Sequence, residues 1–129
     1  MKAPALLIEL RREASDRTYV ERLDILEQTQ SLVKARLYIT SNLFLQVYRN
    51  DRFDTTNFAI INNQRRIYAR DQLGGEWHRH TANAPDEHDT TEEGRRPVTL
   101  SEFLDDAEAV LSVLELPSAR HVARVGSAG

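Results

Sequence analysis

Two histidines, His78 and His80, lie two residues apart in the stretch Glu76-Trp77-His78-Arg79-His80, which also holds the only tryptophan; His88 follows in the next polar segment. On an extended strand alternate side chains share a face, so His78 and His80 point the same way and can reach one ligand. Imidazole titrates near pH 6.5, which lets it give or take a proton at neutral pH. Metal-free RNA cleavage needs a base for the 2′-hydroxyl, an acid for the leaving oxygen and cations against phosphorane charge. Arg66, Tyr68 and Arg70 fall on the neighbouring predicted strand, and a guanidinium is a planar, permanently charged fork for phosphate. His78 and His80 are therefore candidate acid and base, with Arg66 and Arg70 as phosphate ligands and Tyr68 assisting.

Two other chemistries use overlapping residues. His78, His80 and His88, with Asp86 or Asp89, have the donor types of a His₃ or His₂-carboxylate metal site. A binding-only surface would interleave Arg36, Tyr38, Tyr48, Arg66, Tyr68 and Arg70, cations with aromatics, to stack bases and track phosphates of single-stranded RNA. The plainer alternative is a half-exposed sheet face, where tyrosine and arginine are ordinary cross-strand neighbours. No motif implies a cofactor.

The elements that position these residues follow from size and patterning. With 129 residues and 40% hydrophobic content, the chain suits one domain, since domains commonly run from about 50 to 250 residues. We expect that domain to span 1–129, with an ordered core over about 5–116 and a flexible tail over 117–129 that contains His121. A net charge of -3 and pI near 5.8 argue against wholesale attraction to nucleic acid or anionic membrane and leave room for a local basic face. The chain has no cysteine, which excludes disulfides, thiolate zinc and cysteine nucleophiles. The apolar runs fall far short of the roughly 20 residues a membrane helix needs. We expect a cytoplasmic protein without membrane contact.

Residues 3–13 fit both helical and alternating spacing, and we read them as a strand or short helix at the edge; residues 19–27 are equally ambiguous. Val33, Ala35, Leu37 and Ile39 alternate with polar partners, the signature of a half-buried strand. A three-residue loop at 40–42 pairs Ile39 with Leu43, Leu37 with Leu45 and Ala35 with Val47, leaving Arg36, Tyr38, Phe44, Gln46 and Tyr48 on the wet side. A second hairpin turning at Asn62-Asn63 sets Phe58 opposite Ile67 and Ala59 opposite Arg66, with Phe58, Ile60, Ile67 and Ala69 on the core face. A three-residue turn, Leu73-Gly74-Gly75, sets Arg70 opposite His78 and Tyr68 opposite His80 and gives Trp77 to the core beside Ile67 and Ala69. A two-residue turn would instead bury both histidines beside Ile67.

Residues 81–96 read as an acidic, mobile loop that could fold over the basic face. Thr99 and Glu102 form a capping box that opens a helix ended by Pro117, with Leu100, Phe103, Leu104, Ala107, Val110, Leu111 and Leu114 in one apolar stripe. The predicted fold is α+β: an antiparallel meander of five or six strands with a C-terminal helix on one face.

The series Phe44-Leu45-Gln46-Val47-Tyr48, Asn57-Phe58-Ala59-Ile60-Ile61, Arg66-Ile67-Tyr68-Ala69-Arg70-Asp71, Trp77-His78-Arg79-His80 and Thr99-Leu100-Ser101-Glu102-Phe103-Leu104 resembles the TumE family, toxin components of prokaryotic toxin-antitoxin pairs. The likeness covers roughly residues 20–114 and includes His88 after the proline-containing loop; the first 20 residues depart from it, and Trp77 stands where relatives vary. It implies a compact α+β protein made beside a helix-turn-helix antitoxin and a growth-inhibiting role when the two separate. It assigns no catalytic residue. The sequence therefore predicts a toxin-like protein acting on RNA as a metal-independent ribonuclease. The alternative is a non-enzymatic module that pairs with an antitoxin, or with itself as a homodimer, through exposed strand edges.

Overall fold

A computed structural model describes residues 1–117; the expected tail from Ser118 onward, with His121, lies outside the described residues. The chain is α+β. Helix α1 (Ala3–Asp16) precedes strands β1 (Arg22–Gln28), β2 (Leu32–Tyr38), β3 (Leu43–Asn50), β4 (Thr55–Asn62), β5 (Arg65–Leu73) and β6 (Glu76–His80), and helix α2 (Leu100–Val113) follows. The six strands form an antiparallel meander in chain order. A lone bridge between Arg79 and Asp89 adds a seventh short segment beyond β6.

Both helices cover one face of this open sheet, α1 over β1 and β2, α2 over β4 and β5. The segment read as an edge strand or short helix is thus a full helix. Pro4 sits in its first turn, where a missing N–H costs nothing, and Leu6 and Leu10, four apart, are buried. No side chain of its own caps α1. The carboxylate of Asp51, from the β3–β4 turn, accepts from Ala3 N at 3.1 and 3.0 Å. Burial works against that charge, yet Ala3 N–H and Arg49 hold Asp51 below the usual carboxylate range.

Helix α2 has the expected capping box, with Glu102 N donating to Thr99 Oγ1 and Thr99 N donating to Glu102 Oε1. Leu100, Phe103, Leu104, Ala107 and Leu111 are buried as expected. Leu114, placed in the apolar stripe, is exposed instead, because the helix ends at Val113 and Glu115 turns back with a positive φ of 58°. Arg17 ties the two helices together, reaching Glu13 on α1 and Asp105, Glu108 and the Ser101 carbonyl on α2.

The first expected hairpin is present in the expected register: Leu37 faces Leu45, Ala35 faces Val47, and Ile39 N donates to Leu43 O. The second differs. Its tight turn is Asn63-Gln64, both at positive φ (50° and 68°), one residue later than expected, and a bulge between Ile60 and Ile61 shifts the ladder again. Phe58 therefore faces Arg70, and Ile60 faces Tyr68. The third turn holds two residues, Gly74-Gly75, with φ of 57° and 88°, so Asp71 faces His78 and Ala69 faces His80.

Each of these two register differences reverses the facing of everything after it, because strand side chains have period two. Tyr68 and Arg70 therefore turn to the helix-covered side, and Ala69 to the other. For β6 the two reversals cancel. Trp77 reaches the core, 6.2 Å from the Phe58 ring, while His78 and His80 occupy the opposite face beside Asp71 and Ala69 rather than Ile67.

Candidate functional site

The face without helices carries two long cross-strand rows, one polar throughout and one interrupted by alanines. Lys34, Tyr48, Asn57, Asp71 and His78 are successive cross-strand neighbours from β2 to β6, and Arg36, Gln46, Ala59, Ala69 and His80 form the adjacent row. At the β6 end the segment 81–88 crosses over this face. Asp89 then pairs with the outer edge of Arg79, backbone to backbone and through its carboxylate at 2.8 and 2.5 Å. Contacts to Thr91 and Arg79 hold the Asp89 carboxyl down at about 2. The chain goes on under the sheet edge to reach α2, so the acidic loop is a strap around β6.

Under the strap three imidazoles meet. The His88 ring lies 5.0 Å from His78 and 4.7 Å from His80, centroid to centroid. His80 is only 3% exposed. Its Nδ1 lies 3.0 Å from the Pro85 carbonyl and 3.3 Å from Arg66 Nη2, and its Nε2 is 3.2 Å from Asp71 Oδ2, off the line of an ideal hydrogen bond. Burial foremost, and then the Arg66 charge, push the His80 imidazole below its ordinary value against the pull of Asp71. His78 is half-buried and its Nδ1 has no partner; His88 is exposed. His88 is thus the exposed imidazole of the three; His78 is half-buried with its Nδ1 closed to solvent, and His80 is packed behind them.

The arginines divide by face. Arg66 joins the histidines, its Nη2 also donating to Pro85 O at 3.1 Å. Arg36 shares the face but sits four strands away from His80, roughly 19 Å at normal strand spacing. Its guanidinium lies over Phe44 at 4.6 Å and reaches the Tyr38 hydroxyl at 3.2 Å. Tyr68 and Arg70, expected beside the histidines, are not there. Tyr68 stacks on Phe103 and donates to Asp106 at 3.0 Å, and burial and Asp106 raise its phenol. Arg70 is fully buried and donates to the carbonyls of Glu93, Gly94 and Arg96 and to the Glu93 carboxylate. It anchors the far side of the strap rather than a ligand.

Sequence reasoning missed Asp71 and Asn57, which meet on this face: Asn57 Nδ2 donates to Asp71 Oδ1. Their alternation with Phe58 and Arg70 was the available signal, and it becomes readable only once the β4–β5 register is known. Among the described residues no group of three or more histidine, cysteine or acidic side chains is placed to hold a metal ion. The His88 ring is tilted by 30° to His78 and set edge-on, at 66°, to His80. No described helix is long and apolar enough to cross a membrane. No known family model, curated protein or solved structure matches the chain.

Proposed function

We propose that this protein is the toxin-like member of a prokaryotic toxin-antitoxin pair, similar to the TumE family, and that it cleaves RNA without a metal on its helix-free sheet face. The observation that carries the reading is the gathering of His78, His80 and His88 with Arg66 on that face. His78, half-buried, and His88, exposed with its ring 5.0 Å away, supply the acid and base; Arg66 meets the phosphate. Arg36 with Phe44 and Tyr38 offers a cation and two rings for the strand that leads away, since bases stack on aromatic faces while cations track the backbone. The antitoxin partner, a helix-turn-helix protein, follows from the resemblance alone.

Incubating the purified protein with single-stranded RNA tests this. Cleavage that survives chelator and falls on the order of 10²-fold in His78→Ala or His88→Ala, the low end of what general acid–base groups supply, is the expected result. Absence of cleavage, or cleavage indifferent to both substitutions, rejects it. A second reading has its own observation: His80 is closed off by Pro85, Arg66 and Asp71, as a structural anchor would be. A non-enzymatic module would bind its antitoxin, or a second copy, equally well with His78 and His88 both replaced by alanine.

A further inference from the structure

The contacts of His80 require a choice of proton position. A neutral imidazole carries one N–H, yet both ring nitrogens face an acceptor: Pro85 O lies 3.0 Å from Nδ1 and Asp71 Oδ2 lies 3.2 Å from Nε2. A proton on Nδ1 would satisfy Pro85 and set the Nε2 lone pair against a carboxylate. A proton on Nε2 faces that carboxylate, and Nδ1 can then accept from Arg66 Nη2 at 3.3 Å, which also serves Pro85 O at 3.1 Å. Nε2 is not aligned for a hydrogen bond to Asp71, so the choice is electrostatic: a lone pair held 3.2 Å from a buried carboxylate is worse than one held 3.0 Å from a carbonyl that Arg66 also binds, and the second arrangement wins. Asp71 is itself fixed: it is 8% exposed, and Asn57 donates to its other oxygen.

We infer that Asp71, oriented by Asn57, is the positioning residue of the imidazole cluster, holding His80 as the neutral Nε2–H tautomer with its Nδ1 turned to Arg66. This rests on the reading of the cluster as a proton-transfer site and deepens it. The charged and titratable groups around His80 are Arg66 and Asp71 from β5, His78 from β6 and His88 from the strap. A neutral His80 adds no positive charge 4.7 Å from His88, which leaves His88 able to carry the catalytic proton. Burial and Arg66 act in the same direction, against the imidazolium.

Long-range ¹H–¹⁵N correlation spectra of the labelled protein without RNA read the tautomer directly. The expected wild-type result is a proton on Nε2 of His80 near neutral pH. In Asp71→Asn, which keeps a hydrogen-bonding group beside Asn57, and in Asp71→Ala, the single tautomer should give way to a mixture or to the Nδ1–H form. Nδ1–H in the wild type, or an unchanged Nε2–H signal in both variants, overturns the inference; thermal melts of the same samples identify a variant that fails to fold. In RNA cleavage, Asp71→Asn should lower kcat on the order of 10²-fold with KM unchanged and displace the pH profile, and Asp71→Glu should restore part of the loss. A KM effect alone overturns the role in proton transfer. Wild-type protein that shows the Nε2–H tautomer but cleaves nothing rejects the RNA-cleavage reading while leaving the placement of His80 by Asp71 standing.

Discussion

His80 makes stability depend on pH in a direction fixed by its surroundings. Burial, and then Arg66, hold its folded pKa below the ordinary 6.5, so near that pH the unfolded chain binds the proton that the folded chain refuses. Its stabilising contribution is complete above about pH 6.5 and is lost as pH falls through that value toward the depressed folded one. Urea midpoints should therefore fall between about pH 7.5 and about pH 5.5, and less steeply in His80→Asn; an identical slope in the variant contradicts this. Arg70 gives the other prediction at this scale. It is fully buried and bonded to three carbonyls and Glu93, so Arg70→Ala should cost about 2 kcal/mol or more by urea titration, as leaving buried carbonyls without a charged donor does. As a phosphate ligand on an open face it would have cost little. Tyr68 and Arg70 were the residues whose role the sequence could not settle: both are amphipathic, and either can face water or a core without violating the pattern.

Among the elements, the strap is the one that tertiary contacts create. Gly94 is buried where a β-carbon would lie 2.1 Å from the Asp89 backbone oxygen, and Asp89 is the residue that pairs with Arg79. Gly94→Ala should push the strap off the β6 edge. Faster amide exchange at Arg79 and Asp89, with the β2–β3 ladder unchanged, is the expected readout; unaltered protection would show that the strap holds by other contacts. The β2–β3 hairpin was legible because Ala35, Leu37, Leu45 and Val47 alternate with polar neighbours on both strands, leaving one register that buries them all. The β4–β5 hairpin was not, because Ala59, Ile60 and Ile61 are consecutive apolar residues and a bulge leaves no mark in such a run. Helix α1 escaped for a related reason: Leu6, Ile8 and Leu10 alternate as a strand would, yet Ile8 is 69% exposed in the helix.

At the scale of the molecule, two helices on one face leave the other to the histidines. Leu6 and Leu10 of α1 are fully buried in the same cluster as Leu37 and Phe103, and burying a leucine side chain contributes about 1.5 to 3 kcal/mol. Deleting residues 1–17 should therefore expose the β1–β2 half of the core and remove the Arg17 link to α2. The truncated protein should bind a hydrophobic dye and lose its cooperative melt; a sharp melt near the full-length Tm would mean that the sheet and α2 suffice. Residues 3–16 are thus a structural part of the fold.

Alternation and capping signals by themselves determined the α+β class, the β2–β3 register, the start of α2 and the shared face of His78 and His80, since each depends on neighbours close in the chain. What lies beside those histidines was decided only in three dimensions. The bulge at Ile60–Ile61 reverses the facing of β5, taking Tyr68 and Arg70 away, and the two-residue Gly74-Gly75 turn reverses β6 back, so that Asp71 and Asn57 lie beside the imidazoles. Sheet register is a long-range property: one residue gained in a turn leaves each strand's own pattern intact and changes every neighbour it meets.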